Sequence, residues 1–196
     1  MEIDKKVMMA ELGGAFTVSL ALGALGGIEW AIALAVVWMA FAGAHVLPVV
    51  TWCHMLTGDL SDGEGNWAAN GMRLVAQVIG AILAVLCGTQ FGEIETGWVA
   101  TDMWITDIAD GYWAVIWTIT AGAVWWQMHT RCDTPWVSAV GLLLLGGFMT
   151  LSGATEMAAS ITSMGDGIVD TLVNWILDGA MVGLGALIGV KIDEAI

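Results

Sequence analysis

Hydrophobic residues run along this chain in long blocks, and the blocks come in two lengths. Residues 7–27 are apolar apart from Glu11, residues 74–92 and 111–130 contain no Asp, Glu, Lys or Arg, and residues 171–190 contain only Asp178. Each suits one helical crossing of a hydrocarbon core about 30 Å thick, which takes about 20 residues. Residues 30–58 carry no acid, Lys or Arg, and residues 136–165 carry only Glu156. These two blocks are too long for one crossing and too short for two. A full helix followed by a re-entrant half-helix accounts for both, because irregular backbone is tolerated at membrane depth where protein or a water-filled path satisfies it. The pattern therefore predicts an all-α membrane protein of six transmembrane helices and two half-helices, the latter over about residues 45–57 and 155–164.

The long blocks hold the second and fifth places, so the chain reads as a duplication. Residues 1–92 form the first repeat, 93–110 an acidic outer loop, and 111–196 the second repeat. Glycine pairs support the match, Gly80-Ala81 answering Gly179-Ala180. Within the breaks, Gly43-Ala44-His45-Val46-Leu47-Pro48 lies over Gly153-Ala154-Thr155-Glu156-Met157-Ala158. Three spans per half makes the halves antiparallel, an inverted 3+3 repeat whose functional site is expected near the midplane, where broken helices meet.

Charge gives orientation. Cytoplasmic segments gather Lys and Arg, and Lys5, Lys6, Arg73, Arg131 and Lys191 all fall on one side if both termini are cytoplasmic. The opposite loop is acidic. Trp30, Trp98, Trp104 and Trp113 then sit at outer ends and Trp67, Trp125, Trp126 and Trp136 at inner ends, where interfacial anchors belong. The two lysines before the first block resemble the start of a signal peptide, but Glu11 interrupts the run and no A-x-A site follows, so a retained first span is expected. The expected location is the cell (plasma) membrane, crossed several times.

Composition narrows the chemistry. At 196 residues and 58% hydrophobic content the chain exceeds the apolar share of soluble domains, about 45–50%. Five basic against nineteen acidic residues, a net charge of −14, leave no basic surface for nucleic acid. The acid excess fits either a solubilising surface or a cation-attracting vestibule. Cys53, Cys87 and Cys132 are odd in number and scattered, which implies thiols and no disulfide framework. Cys53-His54 and His129-x-x-Cys132 offer two ligands each, short of the set zinc uses, so no metal or cofactor is expected. Asp59, Asp62 and Glu64 miss the calcium-loop spacing. No nucleophile elbow or phosphate loop is present, and the chain does not read as an enzyme.

Several motifs resemble the major intrinsic protein family, the aquaporins and aquaglyceroporins. Glu11-Leu12-Gly13-Gly14-Ala15-Phe16-Thr17 is similar to the family's opening Glu-Phe-x-Gly-Thr. Gly43 through Thr51 is similar to its Gly-Ala-His-x-Asn-Pro-Ala-Val-Thr, and Ala76-Gln77-Val78-Ile79-Gly80-Ala81 matches its Ala-Gln-x-x-Gly-Ala. The resemblance implies an aquaporin-like fold, a lipid bilayer around its outer surface, a homotetramer, and a pore through each protomer. It also implies that Glu11 and Gln77 support the first half-helix and that His45 holds its loop. The lining it implies comprises His45, Val46, Leu47, Pro48 and Val49 from the first break, Thr155, Glu156, Met157, Ala158 and Ser160 from the second, and Gly147 or Phe148 from span five.

The departures from the pattern fall on the filter. Leu47 and Met157 stand where the family has its two asparagines, and Ser160 stands where it has its arginine; a one-residue gap would instead put Glu156 on the second asparagine. Apolar residues facing a narrow pore close it by dewetting or favour a weakly hydrated solute over water. The expectation is a channel for water or a small neutral solute with an atypical, apolar filter. Two alternatives stay open: a cation- or proton-permeable pore using Glu156, and a non-conducting structural or accessory membrane protein. Glu156 itself reads either as a pore group or as a complement to the half-helix dipole, and Asp178 as a buried hydrogen-bonded residue or an oligomer contact.

Overall fold

The computed structural model describes residues 4–22, 25, 27–88, 111–146, 153–163 and 168–196. The acidic loop 93–110, Gly147, Phe148, Trp98 and Trp104 lie outside the described residues. The described residues form helices and no strand: α1 (Lys5–Leu22), α2 (Ile28–Ala40), α3 (Pro48–Thr57), α4 (Ala69–Gly88), α5 (Gly111–Arg131), α6 (Pro135–Leu145), α7 (Ala154–Ser163) and α8 (Ile168–Ala195). Two are long and apolar enough to cross a membrane: α8, and α4 together with the π-helical turn Gly63–Ala68 that leads into it. The segments expected as half-helices hold the ten-residue helices α3 and α7. α2 and α6, with 13 and 11 residues, are shorter than a full crossing.

Local chemistry explains the ends that matter. Pro48 and Pro135 occupy the first turns of α3 and α6, where a missing N–H is harmless. The Asp62 carboxylate accepts from the N–H groups of Glu64 and Gly65 and caps the π-helical turn. Asn66 Nδ2 donates to the carbonyls of Met55 and Asp59 and ties that turn to the end of α3. In the connecting loop, the Ser61 hydroxyl and N–H hold the Asp59 carboxyl below its ordinary pKa.

Packing follows a two-fold pattern. α1 lies along α4 and α5 along α8; α3 packs on α8 and α7 on α4; α2 packs on α6. Exchanging α1–α4 for α5–α8 maps this set of contacts onto itself. Glycines set the closest approaches: a Cβ on Gly80 would meet the Leu12 carbonyl of α1, and one on Gly185 the Ile119 carbonyl of α5. This corrects the glycine match made from sequence, since Gly179 packs against the Trp52 ring of α3 and the partner of Gly80-Ala81 is Gly185-Ala186. In this register Thr118 takes the place of Glu11, and Asp178 that of Arg73, two helical turns before the matched glycine.

The distribution of polarity is inverted relative to a water-soluble bundle. Glu11, Ser19, Thr51, Gln77, Thr118, Ser138, Thr155 and Asp178 are buried, while Val75, Ile79, Leu83 and Leu86 form an exposed stripe on α4 and Val169, Leu172, Val173 and Ile176 another on α8. The complete burial of Asp178 removes the oligomer-contact reading. Trp125 and Trp126 are also buried, 0% and 4% exposed, which corrects their assignment as interfacial anchors; α5 turns both rings inward, onto His129. Trp67, Trp113 and Trp136 are exposed.

Candidate functional site

The segment entering α3 is built around one buried carboxylate. Glu11 Oε1 accepts from the His45 N–H at 2.7 Å and from Arg73 Nη1 at 2.7 Å; Oε2 accepts from the Val46 N–H at 2.7 Å and from Gln77 Nε2 at 2.8 Å. Glu11 is fully buried, so four donors replace the water it lost. Gln77 Nε2 also donates to Thr51 Oγ1 at 2.9 Å, and Thr51 Oγ1 lies 3.1 Å from His45 Nδ1. Three helices, α1, α3 and α4, are thereby joined through side chains.

What the carboxylate holds is a strained turn. Val46 has φ 66°, and the Leu47 N–H donates to the His45 carbonyl at 2.7 Å, closing a γ-turn in the form that L residues avoid. A β-branched residue at positive φ is costly, of order 1–3 kcal/mol, and persists only where its surroundings over-determine it. Here they do: Glu11 takes both N–H groups, Trp38 Nε1 donates to the His45 carbonyl at 2.9 Å, and Arg73 Nη1 reaches the Gly43 carbonyl at 3.2 Å. Gly14 leaves the space that the Val46 side chain fills.

Two cavities open on either side of this turn. The first, about 330 Å³, is lined by Val46, Leu47, Pro48 and Val49 and by Gly153, Ala154, Thr155 and Glu156, so the first turns of both short helices share its wall. Ser19, Trp30 and Leu142 also line it. The Thr155 hydroxyl donates to Ser19 Oγ at 2.8 Å, and Trp175 Nε1 donates to the Gly153 carbonyl at 3.0 Å, which fixes the start of α7. The second cavity, about 390 Å³, is lined by Trp38, His45, Val50, His54, His129 and the segment 132–135. The cavities have no lining residue in common. Val46, Val49, Val50 and Leu142, all of one apolar cluster, stand between them.

Every histidine of the chain faces the second cavity. The His45 and His54 rings stack at 4.1 Å between centroids, His54 meets His129 edge-on at 6.1 Å, and His129 lies against Trp125 at 4.9 Å and Trp126 at 5.3 Å. His129 Nδ1 is 2.8 Å from Ser138 Oγ. Stacked imidazoles present faces to each other and do not aim their lone pairs at a common point, and among the described residues no group of three or more His, Cys, Asp or Glu is placed to hold a metal. The arrangement can relay hydrogen bonds between ring nitrogens and a polar solute.

The structure gathers most of the residues expected from sequence. His45 lines the second cavity, and Val46, Leu47, Pro48, Val49, Thr155 and Glu156 line the first. Met157 packs instead with Met55, Leu74 and Trp175, Ala158 with Ala81 and Val85, and the Ser160 hydroxyl donates to the Glu156 carbonyl within α7. Gly147 and Phe148 lie outside the described residues. The helix starts explain the difference: α3 begins at Pro48 and α7 at Ala154, which sets Leu47 against Gly153 and not against Met157. Sequence reasoning did not bring His54 and His129 together or put Trp38 in a cavity wall; α2, α3 and α5 are too far apart in sequence for any local spacing to show it.

Among protein families, curated proteins and solved structures, no family model, protein or structure matches this chain.

Proposed function

We propose that this chain is a multi-pass membrane channel of aquaporin-like architecture, with six spans and two half-helices in an inverted repeat, that passes water or a small neutral solute. The observation that supports it most is the meeting of the first turns of α3 and α7 in the wall of one cavity, backed by a second cavity across an apolar constriction. Half-helix N-termini that converge on a path aim N–H groups and positive dipole ends at a solute. The apolar stripes on α4 and α8 give such a protein a surface for lipid. Arg131 is the chain neighbour of Cys132 in the wall of the second cavity, which on the Lys and Arg distribution is the cytoplasmic one. A homotetramer in the plasma membrane is the assembly that goes with this reading.

Stopped-flow light scattering on proteoliposomes tests it. Osmotic water or glycerol flux well above that of empty vesicles is expected, and Val50→Ala is expected to raise it by widening the constriction. Flux no greater than in empty vesicles would overturn the reading and leave the non-conducting alternative. A second reading, a cation- or proton-permeable pore, is favoured by the presence of Glu156 in the first cavity. A trapped pH dye separates the two: a proton leak abolished by Glu156→Gln supports the second, and tight vesicles with fast water flux the first.

Thiol labelling maps the path. Cys132 lines the second cavity, Cys53 is fully buried and Cys87 is exposed. In a Cys87→Ser background, a charged, membrane-impermeant methanethiosulfonate is expected to modify Cys132 from the cytoplasmic side only, to leave Cys53 unmodified, and to reduce flux several-fold. Complete modification of Cys132 with unchanged flux would put the conducting path elsewhere.

A further inference from the structure

The first cavity contains two polar atoms that nothing in the described protein satisfies. Glu156 Oε2 and Trp30 Nε1 are both buried without a hydrogen-bond partner, and both residues line the same space. They come from different helices, α7 and α2. One is an acceptor and the other a donor. Buried polar groups are almost always paired, so two unpaired ones on residues that line one cavity call for an occupant.

The rest of the wall says what kind. Ser19 and Thr155, the hydroxyl residues of the lining, already bond to each other. The remainder is mainly aliphatic, including Leu47, Val49, Leu142 and Leu143. Glu156 is in none of the ion pairs among the described residues, where Arg73 pairs with Glu11, Arg131 with Asp193 and Lys191 with Glu194. Its carboxylate folds over Gly153 into the space a Cβ would fill, so a glycine fixes its position. A carboxyl group in an apolar enclosure with no cation of the protein beside it is suited to a cation brought by the ligand. Water could pair with the two atoms, but it would leave the aliphatic walls bare. A volume near 330 Å³ takes a small molecule.

We propose that this cavity binds a small organic ammonium that also carries an acceptor oxygen, an amino alcohol being the simplest case. The ammonium donates to Glu156 Oε2, the oxygen accepts from Trp30 Nε1, and the connecting methylenes lie on Leu47 and Leu142. The proposal deepens the channel reading, on which passage of the ligand rests, while binding itself does not depend on it.

Isothermal titration of the detergent-purified chain with ethanolamine, ethylammonium and ethylene glycol provides the test, with flux measured on the same preparations. Ethanolamine is expected to bind tightest, ethylammonium about tenfold more weakly for want of the indole bond, and ethylene glycol not measurably. Glu156→Gln is expected to abolish binding of both amines. Trp30→Phe, which keeps the ring and removes the donor, is expected to reduce ethanolamine to the level of ethylammonium and leave ethylammonium unchanged; it also guards against a Glu156→Gln protein that misfolds. Equal binding of ethylene glycol and ethanolamine, or no amine binding to the wild-type chain, would overturn the proposal even if water flux is fast. Amine binding with no flux would instead overturn the channel reading and leave the site standing.

Discussion

Replacing Glu11 with alanine is expected to lower stability by about 3–5 kcal/mol, the range for breaking a buried charge pair from one side. The loss has three parts. The Arg73 guanidinium loses its partner, the Gln77 amide loses one of two acceptors, and the N–H groups of His45 and Val46 are left facing an apolar hole. Nothing then holds Val46 at φ 66°, so the γ-turn that shapes both cavity walls relaxes. Glu11→Gln keeps the volume but turns an NH₂ toward at least one of four donors, and it is expected to recover only part of the loss. The Arg131–Asp193 pair supplies the contrast: with side chains 62% and 56% exposed, it is expected to contribute no more than about 1 kcal/mol, so Asp193→Asn should melt close to wild type. Thermal unfolding in detergent, followed by tryptophan fluorescence, compares the three. Similar midpoints for Glu11→Ala and Asp193→Asn would show that the network does not brace the turn.

The position of Glu11 illustrates which parts of this protein can be read from its sequence. A lone acid in an apolar block must find donors, and the resemblance indicated which backbone it would reach. Block lengths predicted two short helices, and α3 and α7 lie in the two stretches too long for one crossing and too short for two. Side-chain facing was less legible. Trp125 and Trp126 have the composition of an interfacial belt, yet helix α5 turns both inward, where their rings stack on His129. The convergence of His45, His54 and His129 depends on α3 and α5 meeting through α8, a contact no local periodicity encodes.

The second half was harder to place than the first for a related reason. In the register set by the glycines, Thr118 stands where the first half has Glu11, and Asp178 where it has Arg73, so the acid and the base that brace the first break have no counterparts. The second break starts from Gly153, held by the Trp175 indole and the Thr155–Ser19 hydroxyl pair. Without a carboxylate on α5 to set the register, motif overlay slipped and placed Met157 at the cavity. The acid at this break is Glu156, on the short helix itself and in the cavity wall.

That two-fold register makes a strong prediction of its own. Gly80→Val and Gly185→Val are both expected to abolish recovery of folded, monodisperse protein. At each site even a Cβ would overlap a backbone carbonyl, of Leu12 in one case and Ile119 in the other. Backbone cannot swing aside as a side chain can, so the helices must part, at more than the about 1–3 kcal/mol of ordinary overpacking. On the membrane reading no hydrophobic drive restores the contact either, since association of helices in lipid depends on close packing of small residues. Gly71→Ala, on α4 with open space around its Cβ, is the control and is expected to be neutral or stabilising by up to about 1 kcal/mol. Size-exclusion chromatography of the fluorescently tagged variants reads all three. Failure of both valine variants with survival of Gly71→Ala would confirm that α1–α4 and α5–α8 are the same helix pair used twice. Survival of only one would show that the halves, equivalent in their contacts, are unequal in what they contribute to the fold; the half expected to tolerate the change less is the first, because separating α1 from α4 also pulls Glu11 away from Arg73 and Gln77.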